Sequence, residues 1–228
     1  MQKLVVLTGA GISAESGIKT FRDSDGLWEN YNVEDVATID AWYRNPDLMT
    51  DFYNARRAEL AKTGPNDAHK LVAKLEDFYD VTVVTQNIDD LHERGGSTKI
   101  IHLHGEATKA CSENGKRHVQ DIGYRAIGYD ERTPDGARMR PFIVWFGEAV
   151  PMMDEAIAAV EQADIMVIIG TSLNVYPAAG LIMYAPANTP IYLIDPKDVQ
   201  ASRPNVHFIK DVATSGMRKL FDELGIRL

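Results

Sequence analysis

The sequence predicts a doubly wound α/β fold, in which helices cover both faces of a mostly parallel sheet. Six short apolar runs have the length of buried strands, and amphipathic helical patterns separate several of them. The expected strands are residues 3–7, 81–85, 99–103, 142–146, 165–169 and 191–194. The expected helices are residues 46–61, 66–78, 152–162 and 212–224. This alternation is typical of a Rossmann-like sheet.

The first expected strand runs into a turn built from small residues. Gly9, Gly11 and Ala14 have the spacing G-x-G-x-x-A directly after the apolar residues 4–7. Backbone N–H groups at such a turn suit a pyrophosphate, and Ser13 adds a hydroxyl donor. Ordinary tight turns explain the spacing equally well when it is considered alone. No acidic residue stands at a second strand end about twenty positions later, which excludes an ordinary Rossmann dehydrogenase.

The bulk composition limits the classes of function. The chain has 228 residues, 45% of them hydrophobic and 25% charged, which fits one α/β domain with a small inserted module. A net charge of −9 without a basic run disfavours nucleic-acid binding, because phosphate contacts need a concentrated basic face. No apolar run approaches the ~20 residues that cross a bilayer, and the N-terminal strand leaves no room for a signal peptide. Cys111 is the only cysteine, which predicts a cytoplasmic protein without an intrachain disulfide.

Small or polar residues follow three of the expected strands. They are Gln86, Asn87 and Asp89 after the second strand, His104 and Gly105 after the third, and Gly170, Thr171 and Ser172 after the fifth. Because ligands of open α/β sheets bind at the carboxyl ends of the strands, we expect these groups to meet in one crevice. Taken singly, the Asn and Asp residues are equally explained as turn formers. Strand alternation places His102 and His104 on one face, and a lone histidine there is more often structural than catalytic.

The ordered motifs of the chain resemble those of the sirtuins, the NAD-dependent protein-lysine deacylases. The matching segments are GAGIS (9–13), GI (17–18), FR (21–22), TQNID (85–89), HG (104–105), RPFIVWFGE (140–148), GTS (170–172) and IDP (194–196). They cover nearly the whole chain in the order of the family. The resemblance implies one catalytic domain over residues 1–228. Its core would be about residues 1–21, 80–108 and 141–228, with a cofactor loop and helical insertion at about 22–79 and a small module at about 109–140.

The resemblance also implies how NAD would be bound. Gly9, Ala10 and Gly11 would approach the pyrophosphate, with Ser13 beside them. Phe21 and Arg22 would lie near the nicotinamide ribose, which Gln86 and Asn87 would contact. Ile88 and Asp89 would hold the nicotinamide carboxamide. The residues implied for the adenosine half are Gly170, Thr171, Ser172, Asp195, Val212 and Ala213.

The resemblance implies that His104 and Asn87 are the catalytic residues. It also implies that two segments of the chain bind the substrate peptide. Loss of nicotinamide would leave the ribose electrophilic, and the acyl oxygen of an acylated lysine would attack it. His104 would act as general base through the ribose hydroxyls, which suits an imidazole with an ordinary pKa of about 6.5. The products would be free lysine, nicotinamide and O-acyl-ADP-ribose. An extended peptide would add as a strand beside Phe146, Gly147 and Glu148 and beside the segment that contains Val175.

The chain departs from the sirtuin pattern in the small module. Sirtuins usually hold a structural zinc with two pairs of cysteines, whereas Cys111 stands alone here. A tetrahedral thiolate site needs about four S or N ligands, so we expect no zinc and no other metal. The module would instead be held by its own packing, with Tyr124, Ile127 and Tyr129 as candidates.

Tyr53 and Arg56 form the feature that points to an acyl preference. They lie three residues apart and therefore share a face of the expected helix. An unrelated pair of this kind would be explained by a solvated helix face. In the sirtuin context the Y-x-x-R spacing resembles the enzymes that remove succinyl, malonyl or glutaryl groups. A guanidinium can hold a carboxylate through two hydrogen bonds and a phenol can add a third, so we expect acidic acyl groups to be preferred over acetyl.

Two other functions remain open from the sequence. A protein ADP-ribosyltransferase would use the same NAD site, and a non-catalytic module would only bind NAD. The presence of Asn87, Asp89 and His104 argues against the non-catalytic module, because a pure binding protein does not need a base. Acylated lysines are the expected partners, and the sequence predicts neither the protein targets nor the oligomeric state.

Overall fold

The structure, a computed structural model, describes residues 1–18, 31–201 and 203–227. Its strands are β1 (Lys3–Thr8), β2 (Asp80–Thr85), β3 (Ile100–His102), β4 (Gly105–Ser112), β5 (Gln120–Asp121), β6 (Met139–Ile143), β7 (Ile165–Ile169), β8 (Ile191–Ile194) and β9 (Val206–Ile209). Six of them form a parallel sheet in the order β3-β2-β1-β7-β8-β9. The strand order reverses between β1 and β7, which is the switch point of a doubly wound sheet. The predicted fold class is confirmed.

Helices cover both faces of this sheet. The α-helices are α1 (Val33–Val36), α2 (Ile39–Arg44), α3 (Pro46–Leu60), α4 (Asp67–Lys74), α5 (Leu91–Gly95), α6 (Met153–Glu161) and α7 (Ala213–Glu223). Within the described ranges there are also 3₁₀ helices at Ala10–Ser16, Leu75–Asp77 and Ala178–Tyr184. Alternate side chains of β1 face opposite layers, since Val5 packs in the core with α6 and Leu4 in the core with α4 and α7. Among the described residues, no helix is long and apolar enough to cross a membrane.

A smaller antiparallel sheet corrects one expected strand. The apolar run at residues 142–146 was expected to join the parallel sheet, but the strand is β6 and pairs with β4, with Cys111 opposite Arg140. The strand order of this second sheet is β5-β4-β6. An apolar run indicates a buried strand but not its neighbours, and partner choice depends on distant parts of the chain. Strands β4 and β9 are not among the expected strands because their sequences contain charged or polar residues.

Helix α3 holds the small sheet and the loops beside it through two polar side chains. Arg57 is fully buried and donates from Nε to the Arg125 carbonyl (3.1 Å) and from Nη1 to the Ala107 carbonyl (3.2 Å). Asn54 donates to the Ile127 carbonyl (3.0 Å) and accepts from the Ile127 N–H (2.8 Å). Arg57 Nη2 also donates to the side-chain oxygen Oδ1 of Asn54. Burial lowers the pKa of Arg57 to about 10, which leaves the guanidinium charged at neutral pH.

The three residues expected to pack the module divide into two roles. Ile127 is buried against Ala110, Ile122 and Met139 in a small apolar cluster. The hydroxyl of Tyr124 instead donates to Asp90, and that of Tyr129 donates to the carboxylate of Asp51 at 2.7 and 2.8 Å. The tyrosines therefore tie this region to its surroundings through carboxylates outside it.

We expect Arg57→Met to destabilise the protein by about 2–4 kcal/mol, because it leaves two buried carbonyl groups without their charged donor. Thermal and urea unfolding measure the change. The matched control is Arg218→Met, since Arg218 is exposed and pairs with Asp67 at the surface. Equal stability of the two variants would show that Arg57 does not hold the small sheet.

Candidate active site

Two glycine loops meet backbone against backbone at the switch point. The Gly9 N–H donates to the Ile169 carbonyl (3.0 Å), and the Gly11 N–H donates to the Gly170 carbonyl (2.9 Å). A Cβ added to Gly11 would lie 2.5 Å from the Gly170 Cα, and Gly170 itself has φ +62°. The close contact between the loops therefore explains why positions 9, 11 and 170 are occupied by glycine. Ala10 lies half-buried between Gly9 and Gly11.

We expect Gly11→Ala to cost about 1–3 kcal/mol of stability and to weaken NAD binding, because the new methyl group displaces the facing loop. Thermal unfolding and an NAD titration measure the two effects. Gly64→Ala is the matched control, since a Cβ at Gly64 meets no atom within 4 Å. An unfolding temperature and NAD affinity equal to those of the control would contradict this account of the loop contact.

A buried polar cluster joins the first loop to the end of β2. Asn87 donates from Nδ2 to the Gly9 carbonyl and to Ser13 Oγ, both at 3.2 Å. The Ser13 hydroxyl donates to Asp89 Oδ2 (3.0 Å), and the Leu91 N–H donates to Asp89 Oδ1 (3.1 Å). Burial raises the pKa of Asp89 although both hydrogen bonds oppose the shift. The side chains of Asn87 and Asp89 are thus held in place before any ligand binds.

His69 belongs to this cluster and was not among the expected site residues. The Asn66 N–H donates to His69 Nδ1 (3.3 Å), so the hydrogen of the neutral ring is on Nε2, which faces Ser13 Oγ at 3.4 Å. Burial lowers the pKa of His69 to about 4. The sequence carried one signal for it, the asparagine three residues before it at a helix start, which forms a capping box.

The two histidines around the end of β3 have opposite electrostatic environments. His104 Nδ1 donates to the Gln86 carbonyl (3.0 Å), which leaves Nε2 as the nitrogen that can accept a proton. Burial lowers the pKa of His104, although the bond to Gln86 opposes the shift. His102 lies between the Asn87 carbonyl (3.3 Å) and Glu93 Oε1 (2.6 Å). Burial would lower the pKa of His102, but the hydrogen bond and charge of Glu93 raise it and so favour the protonated ring.

One group of possible metal ligands occurs among the described residues. Atoms of Glu93, His102 and Glu106 lie within 4.8 Å of one another. Lys109 Nζ is 2.8 Å from Glu106, and His102 is paired with Glu93, so the charges of the group are already matched. Cys111 is buried outside this group, and burial raises the pKa of its thiol to about 11. We interpret the group as an ion-pair network.

The ends of β2, β3 and β7 are joined by hydrogen bonds. Gln86 Nε2 donates to Thr171 Oγ1 (3.1 Å), and the Gln86 carbonyl accepts from His104. Ile88 and Ser172 are half-buried beside these residues in the chain. The other residues expected at the adenosine half follow β8 and β9: Asp195, Val212 as the cap of α7, and Ala213 as its first residue. Phe21 and Arg22 lie outside the described residues.

Tyr53 and Arg56 are both largely buried on α3, which begins at Pro46 after the capping side chain of Asn45. Trp145 Nε1 donates to Tyr53 Oη (2.9 Å). Arg56 Nη1 lies 3.2 Å from Glu59 Oε2, whose side chain is half exposed. Arg56 Nε is buried and has no hydrogen-bond partner among the described residues. A buried guanidinium nitrogen of this kind calls for an acceptor.

The expected peptide-binding residues are arranged in different ways. The Phe146 N–H donates to the Ala37 carbonyl (2.9 Å), and the Phe146 carbonyl accepts from the Ile39 N–H (3.0 Å). Both backbone groups of Phe146 are therefore engaged within the protein, and Gly147 follows in a turn with φ +89°. Val175 is half-buried, and its carbonyl accepts from the N–H of Ala179 (2.8 Å), which lies in the 3₁₀ helix Ala178–Tyr184.

Glu148 is engaged by positive charge. Its two carboxylate oxygens accept from Arg140 Nη1 and Nη2, each at 3.0 Å, and one of them also accepts from the Trp145 N–H (2.8 Å). Arg140 is 2% exposed, so this is a buried bidentate pair. The Glu148 carboxylate thus holds the backbone of Trp145, the residue before Phe146.

Comparisons with known proteins agree with this geometry. A sequence profile of the Sir2 family matches residues 9–177. The chain is 52% identical over 227 residues to an NAD-dependent protein deacylase of Bacteroides thetaiotaomicron, covering 96% of this chain and 97% of that protein. It is 50% identical over 228 residues to an NAD-dependent protein deacylase of Helicobacter pylori, covering 98% of each.

Two solved structures are similar over most of the chain. A Sir2 homologue in complex with NAD has a TM-score of 0.88 and 34% identity, covering 98% of this chain and 89% of that one. A Sir2 complex with a deacetylated p53 peptide and 3′-O-acetyl ADP ribose has a TM-score of 0.81 and 30% identity, covering 98% of this chain and 94% of that one.

Proposed function

Because this chain belongs to the Sir2 family, we propose that it is an NAD-dependent protein-lysine deacylase that prefers succinyl or malonyl groups to acetyl. The observation that carries the acyl preference is the buried Nε of Arg56, which has no acceptor among the described residues. The proposal treats residues 1–228 as one catalytic domain with a small module at about 109–140. With a single cysteine, Cys111, the chain cannot form the thiolate zinc cluster of other sirtuins.

The residues at the switch point fit NAD. Because the Gly9 and Gly11 N–H groups donate to the facing loop, the proposal places the pyrophosphate against the half-buried Ala10 between them. Each oxygen of Asp89 accepts one hydrogen bond from the protein and keeps a lone pair for a carboxamide N–H. Asn87 is held beside it by Gly9 and Ser13. When bound, NAD would supply a ribose carbon that the acyl oxygen of lysine can attack as the bond to nicotinamide breaks and nicotinamide leaves.

His104 is assigned the role of general base. Its Nδ1–H is directed to the Gln86 carbonyl, so Nε2 is the atom that accepts a proton from a ribose hydroxyl. Because burial lowers the pKa of His104, the ring is neutral at pH 7 and able to accept that proton. His102 cannot substitute for it, since both of its nitrogens are engaged by acceptors.

Arg56 and Tyr53 are assigned the role of acyl-group readers. Arg56 is held on one side by Glu59, and its buried Nε remains to donate to a ligand oxygen. An acyl chain that ends in a carboxylate supplies that oxygen and balances the buried positive charge. An acetyl group offers neither, so part of the desolvation cost of Arg56 stays uncompensated. This difference favours succinyl-lysine and malonyl-lysine as substrates.

A mass-spectrometric assay of matched succinyl-lysine and acetyl-lysine peptides, with and without NAD, tests the proposal. We expect NAD-dependent loss of both acyl groups, faster for succinyl, with nicotinamide and O-acyl-ADP-ribose formed in equal amounts. Removal of acetyl at an equal or higher rate would refute the acidic preference. Consumption of NAD with labelled protein and intact acyl groups would identify an ADP-ribosyltransferase instead.

A further inference from the structure

The hydroxyl of Tyr53 is held by a donor. Trp145 Nε1 donates to Tyr53 Oη over 2.9 Å, and both side chains are at most 3% exposed. An indole N–H can only donate, so the bond uses a lone pair of the phenol and leaves the phenol hydrogen for another acceptor. Burial raises the pKa of Tyr53, which keeps this hydrogen in place at any working pH. Tyr53 therefore acts on a ligand as a hydrogen-bond donor.

The indole of Trp145, which determines the direction of the Tyr53 O–H bond, is held by contacts with Arg140, Trp42 and Glu148. Arg140 Cζ lies 3.6 Å from the centre of the Trp145 ring. Trp42 stacks on Trp145 with ring centres 5.3 Å apart. The Trp145 N–H donates to Glu148, which also holds Arg140 in a bidentate pair. Because the ring cannot turn without breaking these contacts, Nε1 stays directed at the phenol oxygen.

A residue from the segment between β4 and β5 completes the support. Lys116 Nζ lies 3.1 Å from Glu148 Oε2, and the two side chains are 15% and 13% exposed. Glu148 thus lies between Lys116 and Arg140. Because it accepts a hydrogen bond from the Trp145 N–H, it also fixes the position of the Trp145 backbone. The Trp145 indole is therefore a connection between α3 and the small sheet in addition to Arg57 and Asn54.

We propose that Trp145 is a specificity-determining residue, which orients the Tyr53 hydroxyl as a donor toward the carboxylate of an acidic acyl group. This inference rests on the proposed function. A carboxylate is an acceptor and completes the chain from indole to phenol to ligand, in which each bond polarises the next. An acetyl methyl group leaves the phenol hydrogen unmatched, so the same arrangement disfavours acetyl-lysine.

The test is a double-mutant cycle on acyl selectivity. Values of kcat/KM for succinyl and acetyl peptides are measured with Trp145→Phe, Tyr53→Phe and the double variant. We expect Trp145→Phe to lower the succinyl-to-acetyl ratio about two- to tenfold, the effect of one hydrogen bond. In the Tyr53→Phe background the same change should leave the ratio unaltered, because no hydroxyl remains to be oriented. Equal decreases in both backgrounds would mean a purely structural role and overturn the inference.

The control variant is Trp42→Phe, which removes the same atoms from the neighbouring ring and leaves both partners of the Trp145–Tyr53 hydrogen bond in place. A wild-type enzyme without succinyl preference would refute the proposed function itself. A preference that needs Arg56 but survives Trp145→Phe would overturn only the role of Trp145. If Trp145→Phe does not fold, the indole N–H resonances of the wild type and Tyr53→Phe are compared by NMR. We expect one indole N–H resonance to shift in Tyr53→Phe, because Trp145 Nε1 loses its acceptor. If every indole resonance is unchanged, the inference is overturned.

Discussion

His104→Ala is expected to lower the rate of O-acyl-ADP-ribose formation by about 10²–10⁴-fold, the usual contribution of a positioned general base. The reason is local, since Nε2 of His104 is the proton-accepting nitrogen that the bond to Gln86 leaves available. The measurement is the rate of O-acyl-ADP-ribose formation from a succinyl peptide at saturating NAD. The matched control is His207→Ala, because His207 is exposed on β9, where it stacks on Tyr192. Product formation by His104→Ala at the wild-type rate would show that His104 is not the general base.

The pH dependence of the same reaction follows from the pKa of His104. The base is active when neutral, that is, above its pKa, and burial lowers that pKa from its ordinary value of about 6.5. The midpoint of the loss of activity on acidification should therefore lie below pH 6.5. A midpoint above pH 6.5 would show that His104 is not held as the structure indicates or that another group controls the rate.

Arg56→Met is expected to lower kcat/KM for a succinyl peptide by about 10²-fold and to affect the acetyl peptide much less. Methionine keeps most of the volume of the side chain but removes the charged donors that a carboxylate needs. The energy involved is that of hydrogen bonds to a buried charged group, about 1.5–3 kcal/mol. The measurement is the ratio of the two kcat/KM values in wild type and variant.

Two further variants sharpen the interpretation of Arg56. Arg56→Lys keeps the charge but loses the planar pair of donors, so we expect an intermediate ratio. Arg44→Met on the neighbouring helix α2 is the matched control, because Arg44 is exposed and pairs with Asp35. Comparable efficiency of Arg56→Met and wild type on the succinyl peptide would exclude Arg56 as the reader of the acyl group.

Much of the fold could be predicted because its signals are local. The buried strands β1, β2, β7 and β8 are continuous apolar runs, and their sequences alone indicate buried parallel strands. Strand β9 was not predicted, because it lacks a continuous apolar run: two of its four residues, His207 and Phe208, are exposed at the sheet edge. Strand β6 was assigned to the wrong sheet because its partner, β4, is a mixed polar segment nearly thirty residues earlier in the chain.

The grouping of candidate residues at the strand ends could be predicted, but the contacts between their side chains could not. Strand ends and ordered motifs indicate that Asn87, Asp89 and His104 belong together, since these positions depend only on spacing along the chain. His69 was missed because it acts on Ser13 from 56 residues away. The pair of Trp145 and Tyr53 is separated by 92 residues, and no local pattern predicts a hydrogen bond over that distance.

The sequence by itself determined the doubly wound fold, the family, and the impossibility of a four-cysteine zinc site in a chain whose only cysteine is Cys111. Only the tertiary structure decided which nitrogen of His104 accepts a proton, how Arg57 holds the small sheet, and which way the Tyr53 hydroxyl is directed. The physical reason is that periodicity and motifs report on neighbours along the chain. Hydrogen-bond direction and pKa depend instead on groups that folding brings together.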